Sequence, residues 1–343
     1  MRTKTKSPTM ADVAKLAGVS TMTVSRALKP ETSVSRATRE RIEKAAEELG
    51  YVLDSIASSF SSGRTGFVAV TIPSINNANF ADTIKALSDK LAEANLQVIL
   101  GYTNYDTFQE EHLVEQLLKR RPEAIVVTGG VHTLRCRTLL TNAGIPVVET
   151  WDLPDNPIDQ VVGFSNSRSS QLMVDHFIEC GLSKIGFVGG DNERDNRGHD
   201  RYRGFCDTLE KHGLQATRVS FNVQFPFSIS QGAAGIRELL NDWPDTEAVM
   251  CVSDLIAFGA MTECQRMGLR VPADIAIGGF GAYDLGEFAY PAITTIDVGA
   301  AAIGRLTAEK LLNMLANEDS AVDTDGTLET APRLIVRQSS QPT

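Results

Sequence analysis

The chain has 343 residues, 42% hydrophobic and 22% charged, which is the balance of an ordinary folded protein long enough for two or three folding units. No apolar run approaches the roughly 18 residues of a membrane span, and the opening MRTKTKSPTMADVAKLA lacks the apolar core and cleavage site of an export signal, so a cytoplasmic protein is expected. A net charge of -10 would exclude nucleic acid if it were spread evenly, but residues 1–64 hold eleven Lys and Arg against seven Asp and Glu. A basic head on an acidic body confines phosphate binding to the N-terminus. Cys136, Cys180, Cys206, Cys251 and Cys264 are scattered, with no C-x-x-C pair and no companion histidine at metal spacing. Reduced thiols, no metal and no cofactor are therefore expected.

From Met10 the apolar residues recur at helical spacing in three short bursts. The first helix runs from about Met10 to Ala17 with Val13, Leu16 and Ala17 inward. Gly18 ends it, Val19 plugs the turn, and the Ser20 hydroxyl caps a second helix from Thr21 to about Leu28. That helix buries Val24 and Leu28 and leaves Thr21, Met22, Ser25 and Arg26 outside. A third helix, opened by Ser35, turns Ile42, Ala45, Ala46 and Leu49 inward and keeps Arg36, Arg39, Arg41 and Lys44 near the surface. In a helix-turn-helix the first turn of the second helix meets base edges, and Arg26 is the natural partner of guanine because its planar fork matches two acceptors. A three-helix bundle with a merely solvated basic face is the plainer alternative.

After Gly50 the Ser-rich stretch LDSIASSFSSGRTG reads as a linker. From Phe67 onward strand-like runs (FVAVTIP, QVILGYT, AIVVT, IPVVET, KIGFVGG, AVMCVS, IAIGGF) alternate with helices over Phe80 to Ala94, Phe108 to Lys119, Ser167 to Glu179 and Leu255 to Met267. Such alternation implies parallel sheets with helical crossovers. Two strand sets separated near Ser165 to Ser167 imply two lobes, with ligand at the C-terminal strand ends. There is no G-x-G-x-x-G, P-loop or G-x-S-x-G elbow, and the histidines at 112, 132, 176, 199 and 212 show no ligand spacing, so no enzyme is expected. Arg194, Arg197 and Arg201 share a loop with Asp191, Asp195 and Asp200, and each either pairs with these carboxylates or grips a ligand.

DVAKLAGVSTMTVSRAL with ERIEKAAEELGYV strongly resembles the DNA-binding head of the LacI/GalR repressor family. The resemblance extends through CVSDLIAFGAMTECQRMGLRVPADIAIGGF, PAITTID and PRLIVRQS over nearly the whole chain. It implies an α/β protein: an all-α helix-turn-helix head over residues 8–53, a hinge helix or linker over 54–66, and a two-lobed periplasmic-binding-protein-like core with parallel sheets over 67–343. The lobes are expected to comprise 67–165 with 294–323 and 166–293 with 324–343. The resemblance implies a homodimer that reads a pseudo-palindromic operator in double-stranded DNA and answers a small effector.

Carried residue by residue, it implies base contacts from Thr21, Met22 and Arg26, phosphate contacts from Ser20, Thr23 and Ser25, and a minor-groove wedge at Phe60, where the family has leucine; Ser58 stands where arginine is common. In the core it implies that Arg201 grips the ligand and that Phe80 sets a ring against it. Asp254 is expected to cap the following helix or touch ligand. Gly281, Ser253 and Ser165 stand where aspartate, asparagine and aspartate are common. Losing these groups while keeping arginines suits an acidic effector. Segments such as IPSINNANFAD, IPVVETWD and GGFGAYDLG resemble the gluconate-repressor branch, which implies a sugar acid in contact with His132, Glu149, Asp152, Phe280 and Asp284 as well. Release of DNA by the ligand is expected rather than corepression. A sugar-binding protein without DNA function and a cytoplasmic α/β enzyme are the alternatives.

Overall fold

The computed structural model describes residues 7–27, 34–52, 64–190, 195–221, 223, 225–316 and 326–341. The chain divides after Thr65 into two compact units. Phe60, Ser58, Leu28 and Arg194 lie outside the described residues.

The first unit holds helices α1 (Met10–Ala17), α2 (Thr21–Ala27) and α3 (Arg36–Leu49). α1 opens on a reciprocal cap: Thr9 accepts from the Asp12 N–H, and the Asp12 carboxylate accepts from the Thr9 N–H. It closes on Gly18 at φ +64°, the left-handed conformation a glycine adopts without strain. Ser20 caps α2 through the Thr23 N–H at 3.1 Å. Ser35 caps α3 through Thr38. Val13, Ala14, Ala17, Val24, Ala27, Ile42 and Ala45 form the core. Leu16, expected inside, is 48% exposed. The buried arc is centred among residues 13, 14 and 17, which leaves position 16 about 100° round the helix.

In the second unit, apolar runs make the inner strands of each sheet, buried on both faces as parallel sheets require. The first-lobe sheet contains β1 (Phe67–Ile72), β2 (Gln97–Tyr102), β3 (Ala124–Thr128), β4 (Val147–Thr150), β5 (Gln160–Gly163) and β11 (Thr327–Glu329), in the order β11-β5-β4-β3-β1-β2 and parallel throughout. The second-lobe sheet runs β7-β6-β8-β9, from Val219–Ser220, Ile185–Val188, Ala248–Cys251 and Ala276–Gly278. An antiparallel ribbon joins β10 (Thr295–Asp297) to β12 (Arg333–Ile335), with Thr295 opposite Ile335.

Helices α4 (Ala78–Ala92), α5 (Thr107–Leu118) and α6 (Leu134–Thr141) serve the first lobe, and α7 (Asn166–Glu179), α8 (Asn196–Lys211), α9 (Ile229–Asp242), α10 (Asp254–Arg266) and the single-turn α11 (Asp284–Glu287) the second. Helix α12 (Ala300–Ala316) returns to pack on α4, where Thr83 Oγ1 donates to the Ala300 carbonyl at 2.9 Å. The chain comes back to the second lobe later than the expected residue 324. Thr327–Glu329 first extends the first-lobe sheet beside β5, with Leu328 opposite Val162, and only the tail beyond it reaches the second lobe, where the Ile277 N–H donates to the Ser339 carbonyl. Three residues are too few to show a strand period. Among the described residues no helix is long and apolar enough to cross a membrane.

Candidate functional site

The C-terminal ends of β1, β2 and β4 face those of β8 and β9, and the loops leaving them line a cleft with about 380 Å³ of free space, part of it open to solvent. Its walls are aromatic. Phe80 meets Trp151 edge-on at 5.0 Å, and Tyr105 of the first lobe stacks on Phe225 of the second with ring centroids 3.5 Å apart. Phe225 in turn stacks on Phe227. Trp151 and Tyr105 hold φ of +71° and +56°, a backbone region that side chains other than glycine rarely occupy and that concentrates at functional positions.

Arg201 is the polar centre. Helix α8 approaches α7 so closely at Gly204 that any Cβ would clash with the Ser167 carbonyl, and this contact sets Arg201, three residues earlier, beside Asn166 at the start of α7. Arg201 Nη1 donates to Asn166 Oδ1 at 2.7 Å, Nη2 lies 3.9 Å from Asp195 Oδ2, and the guanidinium covers the Phe280 ring at 4.4 Å. Burial pulls its pKa down, and the Asp195 carboxylate works against that. Arg201 Nε, Asp195 Oδ2 and Trp151 Nε1 are buried and have no hydrogen-bond partner among the described residues. All three belong to residues that line the cleft. Buried polar atoms are nearly always satisfied, so three open ones around one cavity mark where a ligand supplies partners. Asp195 Oδ1 is engaged, accepting from the Gly198 N–H as it caps α8. Arg197 lies 5.8 Å from the Phe80 ring and 5.9 Å from the Tyr105 ring, at the passage into a second, more polar chamber that Asp152, Asp106, Thr103 and Glu110 line.

Of the expected effector residues, the structure brings Phe80, Arg197, Arg201 and Phe280 to the aromatic cleft and Asp152 to the adjoining chamber. His132 and Glu149 line neither. Their side chains are 1% and 0% exposed, with His132 Nδ1 2.7 Å from Glu110 Oε2 and Nε2 3.4 Å from Glu149 Oε1. Burial opposes charge on this imidazole, but Cys136, Glu110 and Glu149 outweigh it and push its pKa up to about 11. Both side chains face this buried cluster and not the cleft.

Asp254 is fully buried and is not the cap. Ser253 caps α10 through the Ile256 N–H, while Asp254 accepts from the Tyr283 N–H and from Thr295 Oγ1, each at 2.7 Å. Asp284 is exposed at the start of α11 and lines neither cavity. Sequence reasoning missed Asn77, Asn79, Tyr105, Trp151, Asp195, Phe225, Phe227 and Tyr283. The position of Tyr105 and Trp151 just beyond strands β2 and β4 was the available signal.

In the head unit, Met22 is 65% exposed and Thr21 and Arg26 are also exposed, on one face of α2. Ser20 and Thr23 are joined hydroxyl to hydroxyl at 2.8 Å beside the turn, and Ser25 is half-buried. An exposed methionine beside hydroxyls and a guanidinium matches what major-groove edges offer, thymine methyls and guanine acceptors.

Residues 9–54 match the family described as bacterial regulatory proteins, lacI family, and residues 174–340 match the periplasmic binding protein-like domain. The HTH-type transcriptional regulator IdnR of Escherichia coli is 33% identical over 311 residues, 90% of this chain and 92% of that one. The HTH-type transcriptional regulator GntR of Pseudomonas aeruginosa is 32% identical over 333 residues, 97% and 96% of the two chains. A LacI-family regulator of Silicibacter pomeroyi, solved as a crystal structure, superposes with a TM-score of 0.91 at 32% identity over 98% of this chain and 100% of that one. The chain therefore belongs to the lacI family of bacterial regulatory proteins, as a DNA-binding transcriptional regulator and not an enzyme.

Proposed function

We propose that this regulator is a repressor of sugar-acid metabolism that leaves its operator when an aldonate such as gluconate enters the aromatic cleft. The observation that carries the proposal is the buried Arg201, whose Nε has no partner among the described residues and whose ring support from Phe280 fixes the guanidinium plane. A carboxylate is the ligand group that takes two parallel hydrogen bonds from such a plane. The open Asp195 Oδ2 accepts from a hydroxyl, Trp151 Nε1 donates to one, and the Tyr105 and Phe227 rings cover the carbon chain. Arg197, at the passage to the polar chamber, adds the second positive charge that an anionic ligand requires.

On the DNA side, a homodimer presents two heads to half-sites about one helical turn apart in the cytoplasm, Thr21, Met22 and Arg26 reading bases and Ser20, Thr23 and Ser25 holding phosphates. The ligand acts through its different affinity for the DNA-competent and DNA-incompetent forms. Thermal unfolding against gluconate, other aldonates, phosphosugars and neutral sugars tests the ligand class, because a ligand bound to the folded protein raises the midpoint by mass action. A midpoint shift with aldonates that is absent in Arg201→Ala supports the proposal. A shift with neutral sugars alone overturns the acid assignment.

A further inference from the structure

Beyond the cleft, the first lobe gathers a second set of ligating groups. Glu110 comes from α5, His132 from the loop after β3, Cys136 from the first turn of α6 and Glu149 from the middle of β4. One ligand atom from each of Glu110, His132 and Cys136 lies within 4.8 Å of the others. His132 and Cys136 are four residues apart, a pairing that the histidine spacings alone do not bring out because the third member comes from another helix. We infer that Glu110, His132 and Cys136 form a binding site for one divalent cation of the zinc type, with Glu149 as the residue that orients His132.

Four features of the cluster support this. The donor set of one imidazole, one thiolate and one carboxylate is that of zinc and its neighbours, and hard cations such as magnesium do not select it. The two faces of the imidazole are already divided as a ligating histidine requires: Nδ1 points to Glu110, while Nε2 stands 3.4 Å from the fully buried Glu149 Oε1. A metal-bound histidine almost always gives its other N–H to a carboxylate, a backbone carbonyl or water, which fixes the tautomer and the ring. His132 Nε2 and Glu149 Oε1 are nonetheless buried without a well-formed hydrogen bond among the described residues, so the pair is incompletely satisfied as it stands. Glu149 is itself anchored, its other oxygen accepting from the Ile158 N–H.

The third feature is the placing of Cys136. It is buried in the first turn of α6, and its Sγ lies 3.9 Å from Glu110 Oε2. A tetrahedral zinc separates its ligand atoms by roughly 3.3 to 3.8 Å. The cysteine-to-glutamate distance is near that range, and the 2.7 Å between His132 Nδ1 and Glu110 Oε2 must open as the cation replaces the proton there. The fourth feature is access: Glu110 also lines the polar chamber of the cleft, which provides an entry path. Because the cation takes the place of the Nδ1 proton and the thiol proton, binding releases two protons and leaves the net charge of the cluster unchanged.

Titration of the metal-stripped full-length protein with Zn2+ and with Co2+ tests the site. One equivalent is expected to bind, to raise the unfolding midpoint, and with Co2+ to give the near-ultraviolet absorption of a cobalt–thiolate bond. Cys136→Ser should abolish that absorption and weaken zinc binding at least tenfold, and Glu149→Gln should weaken it about tenfold while keeping the absorption. The unfolding curve of each variant without metal shows that it folds. Cys180, 4.0 Å from His176 Nε2, is the rival thiol, so Cys180→Ser serves as the control. No bound equivalent in the wild type, retention of the absorption in Cys136→Ser, or its loss in Cys180→Ser would overturn the site and leave Glu110, His132 and Glu149 as a buried ion cluster.

Discussion

Tyr283 donates its hydroxyl across the cleft to Asn77 Oδ1 at 3.0 Å, and the same oxygen accepts the Asn79 N–H that opens α4. A loop of the second lobe is thereby tied to a helix start of the first. The tie explains Gly281, which stands where the resemblance leads one to expect an aspartate. Its φ is +120°, and a Cβ there would lie 2.5 Å from Tyr283 Cε1 and 2.7 Å from Asn79 Nδ2. The space of the absent side chain is filled by the tyrosine that latches the lobes. Tyr283→Phe keeps the ring and removes the latch. A single neutral hydrogen bond contributes about 0.5 to 1.5 kcal/mol, so gluconate affinity measured by calorimetry should fall roughly two- to tenfold. Unchanged affinity would show that closure does not use this bond.

Arg201→Ala should abolish the midpoint shift with gluconate and leave operator affinity in the absence of ligand unchanged, since the head is a separate unit. The substitution also strips Asp195 and Asn166 of their cationic partner, and a buried carboxylate left alone is costly. Unliganded stability should therefore drop by about 3 kcal/mol, toward the lower end of values for broken buried pairs. Arg201→Lys keeps the charge and loses the fork. It should recover most of the stability and little of the ligand response, which separates recognition from folding.

The head was legible in the sequence almost to the residue because its signals are local. Gly18, Ser20 and Ser35 act on the turn in which they sit. Alternation of strands and helices announced the parallel sheets for the same reason. The cleft was legible only in part: Arg201 and Phe80 were found through resemblance, whereas Tyr105 and Phe225 acquire meaning from stacking across the two lobes, and Trp151 from its contact with Phe80 some 70 residues earlier in the chain. His132 and Glu149 were assigned to the ligand through the branch resemblance, which does not show what surrounds them in the fold. The opposing charge that turns them into a buried cluster, Glu110, lies 22 residues before His132, on a different helix. Asp254 shows the same limit at short range, since the choice of Ser253 as cap followed from Tyr283 and Thr295 claiming the neighbouring carboxylate.

Arg26→Ala should weaken operator binding by roughly 1 to 3 kcal/mol and relax base preference at one position of each half-site. Arg26 is exposed on α2, so truncation should leave the stability of the head nearly unchanged. Competitive binding to operators randomised one position at a time reads both effects. A uniform loss across all sequences would make Arg26 a phosphate contact instead.

Asp254 gives the protein a pH dependence of stability with a definite sign. Burial raises its pKa to about 6, against the opposing hydrogen bonds from Thr295 and the Tyr283 N–H. A carboxyl raised in the folded state contributes stability below its unfolded pKa, near 4, and loses that contribution as pH rises through about 6, because the native state holds a proton that the unfolded chain has released. Asp254→Asn keeps an oxygen for the Tyr283 N–H and offers an N–H to Thr295 Oγ1, without a charge. The difference in unfolding free energy between the two proteins, measured in urea from pH 4 to 7.5, should move by up to about 3 kcal/mol in favour of the variant as pH rises. Other titrating groups cancel in that difference, so a flat line would mean that Asp254 titrates alike in the folded and unfolded chains.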